Sequence, residues 1–204
     1  MKVLFVDSCT KEGMASRTRR LCRIFLDEWE KSHPDCEVET IVLKEEGMIP
    51  LTEEDTIRRD ELVKTGELGH RMFDYARQFA GADRILIGAP YWDLSFPSMF
   101  KVYIEHICVN GIAFAYEGAR QVGRCSAEKL MYIQTAGGFV GEKEPGSIYL
   151  QAVCSMLGIP GFRYVCAEGM DIQEIDRERQ WREAVERTVR RRSSGKEMAG
   201  EHLL

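Results

Sequence analysis

The sequence predicts an α/β fold: a doubly wound, five-stranded parallel sheet with helices on both faces. Three observations carry this. Short apolar runs such as Val3-Leu4-Phe5-Val6 and Arg84-Ile85-Leu86-Ile87-Gly88-Ala89 recur along the chain. They are apolar on successive residues, as strands covered from both sides must be. Each is followed by a stretch with apolar residues at helical spacing, and alternation of strand and helix means a parallel sheet.

The first strand, Val3 to Val6, stops at Asp7. A helix starts near Ser16, with Leu21, Ile24, Phe25 and Trp29 on one face and Arg23, Asp27 and Lys31 on the wet one. Cys36 to Leu43 reads as the second strand, with Cys36, Val38, Thr40 and Val42 on one face and Glu37 and Glu39 opposite. Lys44 to Lys64 is charged and irregular, holds Pro50, and carries a short helix from Glu53. It is long for a connection, which marks it as a functional excursion. Leu68, Met72, Ala76 and Phe79 space another helix, closed by Gly81. The third strand is Arg84 to Ala89. The helix after it carries Pro97 in its first turn, where a missing N–H is harmless. Lys129 to Gln134 is the fourth strand, Ser147 to Leu157 a helix ended by Gly158 and Pro160, and Phe162 to Ala167 the fifth strand. Trp181, Val185 and Val189 lie on a last helix. Residues 1–192 form one domain in this reading, and 193–204 a flexible tail.

With 204 residues, 44% of them hydrophobic and 30% charged, the chain suits one globular domain. The net charge of -5 disfavours nucleic acid as a partner, because phosphate contacts need a basic surface. Seven scattered cysteines, with no C-x-x-C, read as reduced thiols in a cytoplasmic protein. Four dispersed histidines give no zinc pattern and no metal site. The longest uncharged run, Pro145 to Phe162, is broken by Gln151, Gly158 and Pro160, so it suits a helix and turn and not a membrane span.

Five strands and five helices suit the flavodoxin-like strand order 2-1-3-4-5. Ligands then sit beyond the C-terminal strand ends, at the switch between strands 1 and 3. Chemistry should follow Val6 and Ala89. The loop after Val6, from Asp7 to Thr18, is rich in hydroxyls and ends at a helix start, where free N–H groups and the dipole suit a phosphate. Ser8, Ser16 and Thr18 add hydroxyls, and Arg17 adds a fork that matches phosphate oxygens. Ser16 as a plain N-cap and Arg17 as a solvated residue is the bland alternative. Neither G-x-G-x-x-G nor a Walker-type loop is present. Cys9 in this loop suggests a phosphatase nucleophile, but it lies too far from Arg17 for C-x5-R.

The second loop, Pro90-Tyr91-Trp92-Asp93-Leu94, brings two large aromatics to the end of a central strand. A planar cofactor would cover them; packing under a neighbouring loop would also account for them. The third loop, Thr135-Ala136-Gly137-Gly138-Phe139, has paired glycines that let backbone N–H groups approach a ligand, or that make an ordinary turn.

At this point the sequence resembles a family. P-Y-W-D-L-S-F-P-S-M-F-K, then Gly111 to Tyr116, then T-A-G-G, look like the FMN-dependent NAD(P)H:quinone oxidoreductases and azoreductases. The resemblance runs from Lys2 to about Gly169. It implies FMN bound without a covalent link, NADH or NADPH as donor, a quinone-like acceptor, two-electron ping-pong transfer and a homodimer. By position, Ser8, Ser16, Arg17 and Thr18 match the phosphate and ribityl loop. Pro90 to Leu94 match the segment along the isoalloxazine, and Thr135 to Gly138 the loop at its pyrimidine end. Phe114, Tyr116 and Phe139 fall at the substrate mouth. Members commonly carry Asn where this chain has Asp93, and some carry a polar ring where it has Phe139 and Val140. No side chain is implied as an obligatory acid or base. A flavodoxin-type electron carrier is the rival reading; such carriers are shorter and more acidic. The helix after Pro97 supports a dimer on its own account: Tyr103, Ile104, Ile107 and Cys108, with Phe96 and Met99, are more apolar surface than one sheet needs.

Overall fold

The structure is a computed structural model and describes residues 1–141 and 144–190. Strands β1 (Lys2–Asp7), β2 (Glu37–Val42), β3 (Arg84–Gly88), β6 (Lys129–Thr135) and β7 (Gly161–Ala167) form one sheet in the order β2-β1-β3-β6-β7, every pair parallel. This is the expected order, with the switch between β1 and β3. Strands β4 (Phe114–Glu117) and β5 (Arg120–Gly123) form a separate antiparallel hairpin. The helices are α1 (Arg17–Ser32), α2 (Glu53–Thr65), α3 (Asp74–Ala80), α4 (Ser98–Ile107), α5 (Pro145–Leu157) and α6 (Arg177–Val189).

The pleat divides the core in two. Val3, Phe5, Leu86, Met131 and Ile133 face α1 and α6, where Leu21, Cys22, Leu26 and Ala184 cover them. Leu4, Val6, Ile85, Ile87, Leu130 and Tyr132 face the other way, onto Phe79, Tyr103, Ile104, Ile107, Leu150 and Leu157 of α3, α4 and α5. Burial on both faces is why these runs are apolar without alternation.

Several expectations need correction. The apolar set of α4 does not spill onto the surface: Phe100, Tyr103, Ile104 and Ile107 are all buried within this chain, with Phe96, Met99 and Cys108 packed against them. That helix therefore gives no argument for a dimer, and a charge at Ile107 would strike the core. The helix expected from Glu53 is present as α2, set by Thr52 and Asp55 in a reciprocal capping box and ended by Gly66 at φ 79°. The helix read from Leu68 starts as a 3-10 turn at Arg71–Phe73 and becomes α only at Asp74. On β2 the buried residue is Ile41, on the face assigned to the glutamates, while Thr40 is exposed. An edge strand is covered unevenly, so alternation misleads there. The hairpin was not expected at all. Its turn uses Gly118 at φ 64°, and Gly123 packs so close to the end of α5 that a Cβ would lie 2.0 Å from the Gly158 nitrogen. The tail expected over 193–204 lies outside the described residues.

Candidate functional site

Three loops leave the C-terminal ends of β1, β3 and β6 and meet. The first begins at Asp7, which is buried, and is tied to the next strand by the Ser8 amide donating to the Gly88 carbonyl at 2.8 Å. It ends at Ser16, whose hydroxyl accepts the Arg19 amide at 3.3 Å and so caps α1. The first bond of that helix runs from Arg20 N to Ser16 O. The N–H groups of Arg17 and Thr18 precede it and have no partner within the helix. The Thr18 hydroxyl meets that of Thr135 at 2.7 Å and joins the first loop to the third. Arg17 donates to Asp171 at 2.7 Å.

Cys9 is 1% exposed. Burial, and then the charge of Asp7, push its thiol up to about 12. A thiolate nucleophile is thus unavailable at neutral pH, which removes the phosphatase reading of this loop.

The second loop makes a tight turn. Trp92 N donates to Ser95 O at 3.2 Å and Ser95 N returns a bond to Trp92 O at 2.8 Å. The two residues between them, Asp93 at φ 47° and Leu94 at φ 69°, are both left-handed. That is the backbone of a two-residue hairpin turn, for which Asn-Gly is the easy sequence. Leu94 has no side-chain bond to ease the conformation. From behind, the buried amide of Gln134 donates to Ser95 O at 3.1 Å and accepts from the Tyr164 hydroxyl at 2.6 Å. Tyr91 N donates to Thr135 O at 3.0 Å. Trp92 is 47% and Leu94 68% exposed.

The third loop is pinned by the segment after β7. Gly169 N, Met170 N and Asp171 N donate to the carbonyls of Gly138, Ala136 and Gly137 at 2.8, 3.0 and 2.9 Å. A Cβ on Gly137 would lie 2.5 Å from an Asp171 carboxylate oxygen, so a larger residue there would displace the Asp171 side chain that pairs with Arg17.

These loops enclose a hollow of about 210 Å³. Nine residues singled out in the sequence line it: Ser16, Arg17, Thr18, Pro90, Tyr91, Trp92, Thr135, Ala136 and Gly137. Gly138, Asp93 and Leu94 are their chain neighbours. Ser8 is fully buried and does not line the hollow; its hydroxyl has no hydrogen-bond partner. Phe114 and Tyr116 sit on β4, edge to face at 5.9 Å, and are not on the wall. Phe139 is exposed beside the third loop. Thr10, Lys11, Ala15 and Asp171 also line the hollow and were not foreseen. Asp171 could have been found by applying the strand-end rule to β7 as well. A larger hollow of about 480 Å³ opens at the opposite, N-terminal end of the sheet, against Val3, Trp29, Arg84 and Lys129, and holds none of the predicted residues.

The residues present fit FMN. Lys11, Arg17 (paired with Asp171), the hydroxyls of Thr10, Ser16 and Thr18, and the free N–H groups that start α1 line the hollow and suit a phosphate. Tyr91 and Trp92 line it too and suit a planar ring. At 210 Å³ the hollow encloses part of such a ligand and leaves the rest at its mouth.

Residues 1–191 match the family described as having a flavodoxin-like fold. The FMN-dependent NADH:quinone oxidoreductase 2 of Clostridium acetobutylicum is 37% identical over 192 residues, covering 91% of this chain and 95% of that one. The FMN-dependent NADH:quinone oxidoreductase of Clostridium beijerinckii is 33% identical with the same coverage. Among solved structures, an azoreductase from Bacillus anthracis superposes with a TM-score of 0.81 at 22% identity, over 92% of this chain and 96% of that one. An FMN-dependent NADH-azoreductase from the same species, in complex with FMN, superposes with a TM-score of 0.80 at 20% identity, over 93% and 96%. The fold, the meeting of the three loops and these likenesses agree: the chain belongs to the flavodoxin-like family of FMN-dependent NADH:quinone oxidoreductases.

Proposed function

We propose that residues 1–192 act as one domain that binds FMN, accepts a hydride equivalent from NADH or NADPH, and passes the electron pair to a quinone-like acceptor in a ping-pong reaction. The observation that carries this is the convergence of nine predicted residues, from three separate loops, on one hollow at the strand ends.

Thr10, Lys11, Ser16, Arg17 and Thr18 would hold the phosphate. Pro90, Tyr91, Trp92, Asp93 and Leu94 would run along the ring, and Thr135, Ala136, Gly137 and Gly138 would bound its far end. Ser8 would act from beneath, by shaping the loop. When bound, FMN would supply the redox chemistry, a two-electron relay between the nicotinamide and the acceptor. The chain's own work is to fix the ring, exclude water and present an apolar mouth. Trp92, Leu94 and Phe139 leave large apolar side chains exposed on the two loops beside the hollow, and Tyr116 does so on the hairpin. Such surface suits an aromatic acceptor, and a second copy of the chain closing over it as a homodimer. Among the described residues no helix is long and apolar enough to cross a membrane; a cytoplasmic location is part of the proposal.

The purified protein should be yellow, with the absorbance bands of oxidised flavin. It should oxidise NADH in the presence of menadione, which a flavodoxin-type carrier would not. Sedimentation equilibrium should give twice the chain mass. A colourless protein that neither binds added FMN nor oxidises NADH would overturn the reading.

A further inference from the structure

The loop from Asp7 to Ser16 is closed from inside by a single guanidinium. Arg19 lies in the first turn of α1 with its side chain 11% exposed. Its Nε pairs with Asp7, which is 2% exposed. Nη1 donates to the Lys11 carbonyl at 2.7 Å and the Gly13 carbonyl at 3.1 Å, and Nη2 to the Cys9 carbonyl at 3.2 Å. The other Asp7 oxygen accepts the Cys9 amide at 2.9 Å. The three carbonyls belong to alternate residues. In a trans peptide the N–H points opposite to the C=O of the same plane, and the described chain has no cis bond. The amides of Thr10, Glu12 and Met14 are therefore turned away from Arg19. Of these three residues, Thr10 lines the hollow, so its amide is the one that an anion there can meet. Thr10, Lys11 and Ala15 of this loop line the hollow; Arg19 does not.

We propose that Arg19 is a positioning residue for the cofactor phosphate: it gathers the loop's carbonyls inward and thereby holds Thr10 and its outward amide on the wall of the hollow for the anion, without touching it. The proposal builds on the FMN reading above. It divides two arginines of one helical turn by task. Arg17 faces the hollow and is the contact residue, while Arg19 works from behind the backbone. Lysine cannot replace it, because one ammonium on a flexible stem cannot hold a carboxylate and three carbonyls in the fixed fork that a guanidinium provides.

The test uses the full-length apoprotein, titrated with FMN and with riboflavin, which lacks the phosphate. Arg19→Lys should weaken FMN binding by roughly 10-fold or more, the scale of a lost charge-assisted contact set, while riboflavin affinity changes little. The ratio of the two affinities then collapses, which general destabilisation would not cause. The 31P resonance of FMN bound at saturation should shift as well. Asp7→Asn keeps the side-chain shape but removes the counter-charge, and should lower the same ratio severalfold; it decides the matter if Arg19→Lys does not fold. Equal losses for FMN and riboflavin, or an unchanged ratio in both variants, would overturn the proposal. A wild-type protein that binds the two flavins alike would remove the phosphate reading itself, and the proposal with it.

Discussion

The loop after β1 and the turn after β3 border the same hollow and are built in opposite ways. The first is cross-bonded throughout. Arg19 holds three of its carbonyls, Asp7 holds its Cys9 amide, Lys44 pairs with Glu12, and Ser16 caps the helix that follows. The second is held by one two-bond bridge, by the Tyr91 amide on Thr135 and by Gln134 from behind, has two left-handed residues, and leaves Trp92 half and Leu94 largely in solvent. On the proposed reading, the first loop would fix a charged group in one place and would gain from many internal bonds. The turn would offer an apolar edge to a flat partner and so could not bury that edge. Its exposed aromatic and backbone strain go with that task.

The sharpest way to test this contrast is Arg17→Ala. A hydrogen bond to a charged group contributes roughly 1.5–3 kcal/mol, so FMN affinity should fall by about 10- to 150-fold. Riboflavin should bind nearly as before. Fluorescence titration measures both, and equal losses would show that Arg17 does not meet the phosphate.

A smaller effect of opposite sign should come from the turn. A left-handed L-residue costs about 1–2 kcal/mol, and glycine loses about 0.5–1 kcal/mol more backbone entropy on folding. Leu94→Gly should therefore stabilise the apoprotein by roughly 0.5–1 kcal/mol, read as a higher midpoint in urea. A lower midpoint would mean that the Leu94 side chain contributes packing that its exposure does not suggest.

The smallest change in stability belongs to Trp92→Ala. Exposed surface substitutions lie within about 0.5 kcal/mol, so the urea midpoint should hardly move. Adding FMN should quench less tryptophan fluorescence in this variant than in the wild type. Unaltered quenching would place the ring elsewhere.

How much was legible follows the same division. The central strands were readable because burial on both faces removes polar residues from runs such as Val3–Val6 and Ile85–Ile87. The loops were readable because the switch-point rule names their places before any side chain is considered. Edge strand β2 misled, since its cover is one-sided and Ile41 lies on the face that alternation gave to Glu37 and Glu39. The hairpin β4–β5 was missed because its strands are four residues each and carry little alternation. The apolar excess on α4 was misjudged as a partner surface, because Phe96, Phe100 and Tyr103 fill a wide space between α4 and its neighbours within one chain. Arg19 was missed because its role depends on which backbone carbonyls lie opposite, and spacing along the chain carries no trace of that; Asp171 was missed because the strand-end rule was not carried on to β7.

The closure of the first loop also bears on how fast the protein loads. Its shape is set by Arg19, Asp7 and the loop's own carbonyls, all of them protein atoms. The conformational freedom of those residues, about 1–2 kcal/mol for each backbone unit, is therefore lost when the chain folds and not at each arrival of an anion. On the proposed reading, capture of a flavin phosphate would need no ordering step before it, and its rate would be governed by encounter and orientation.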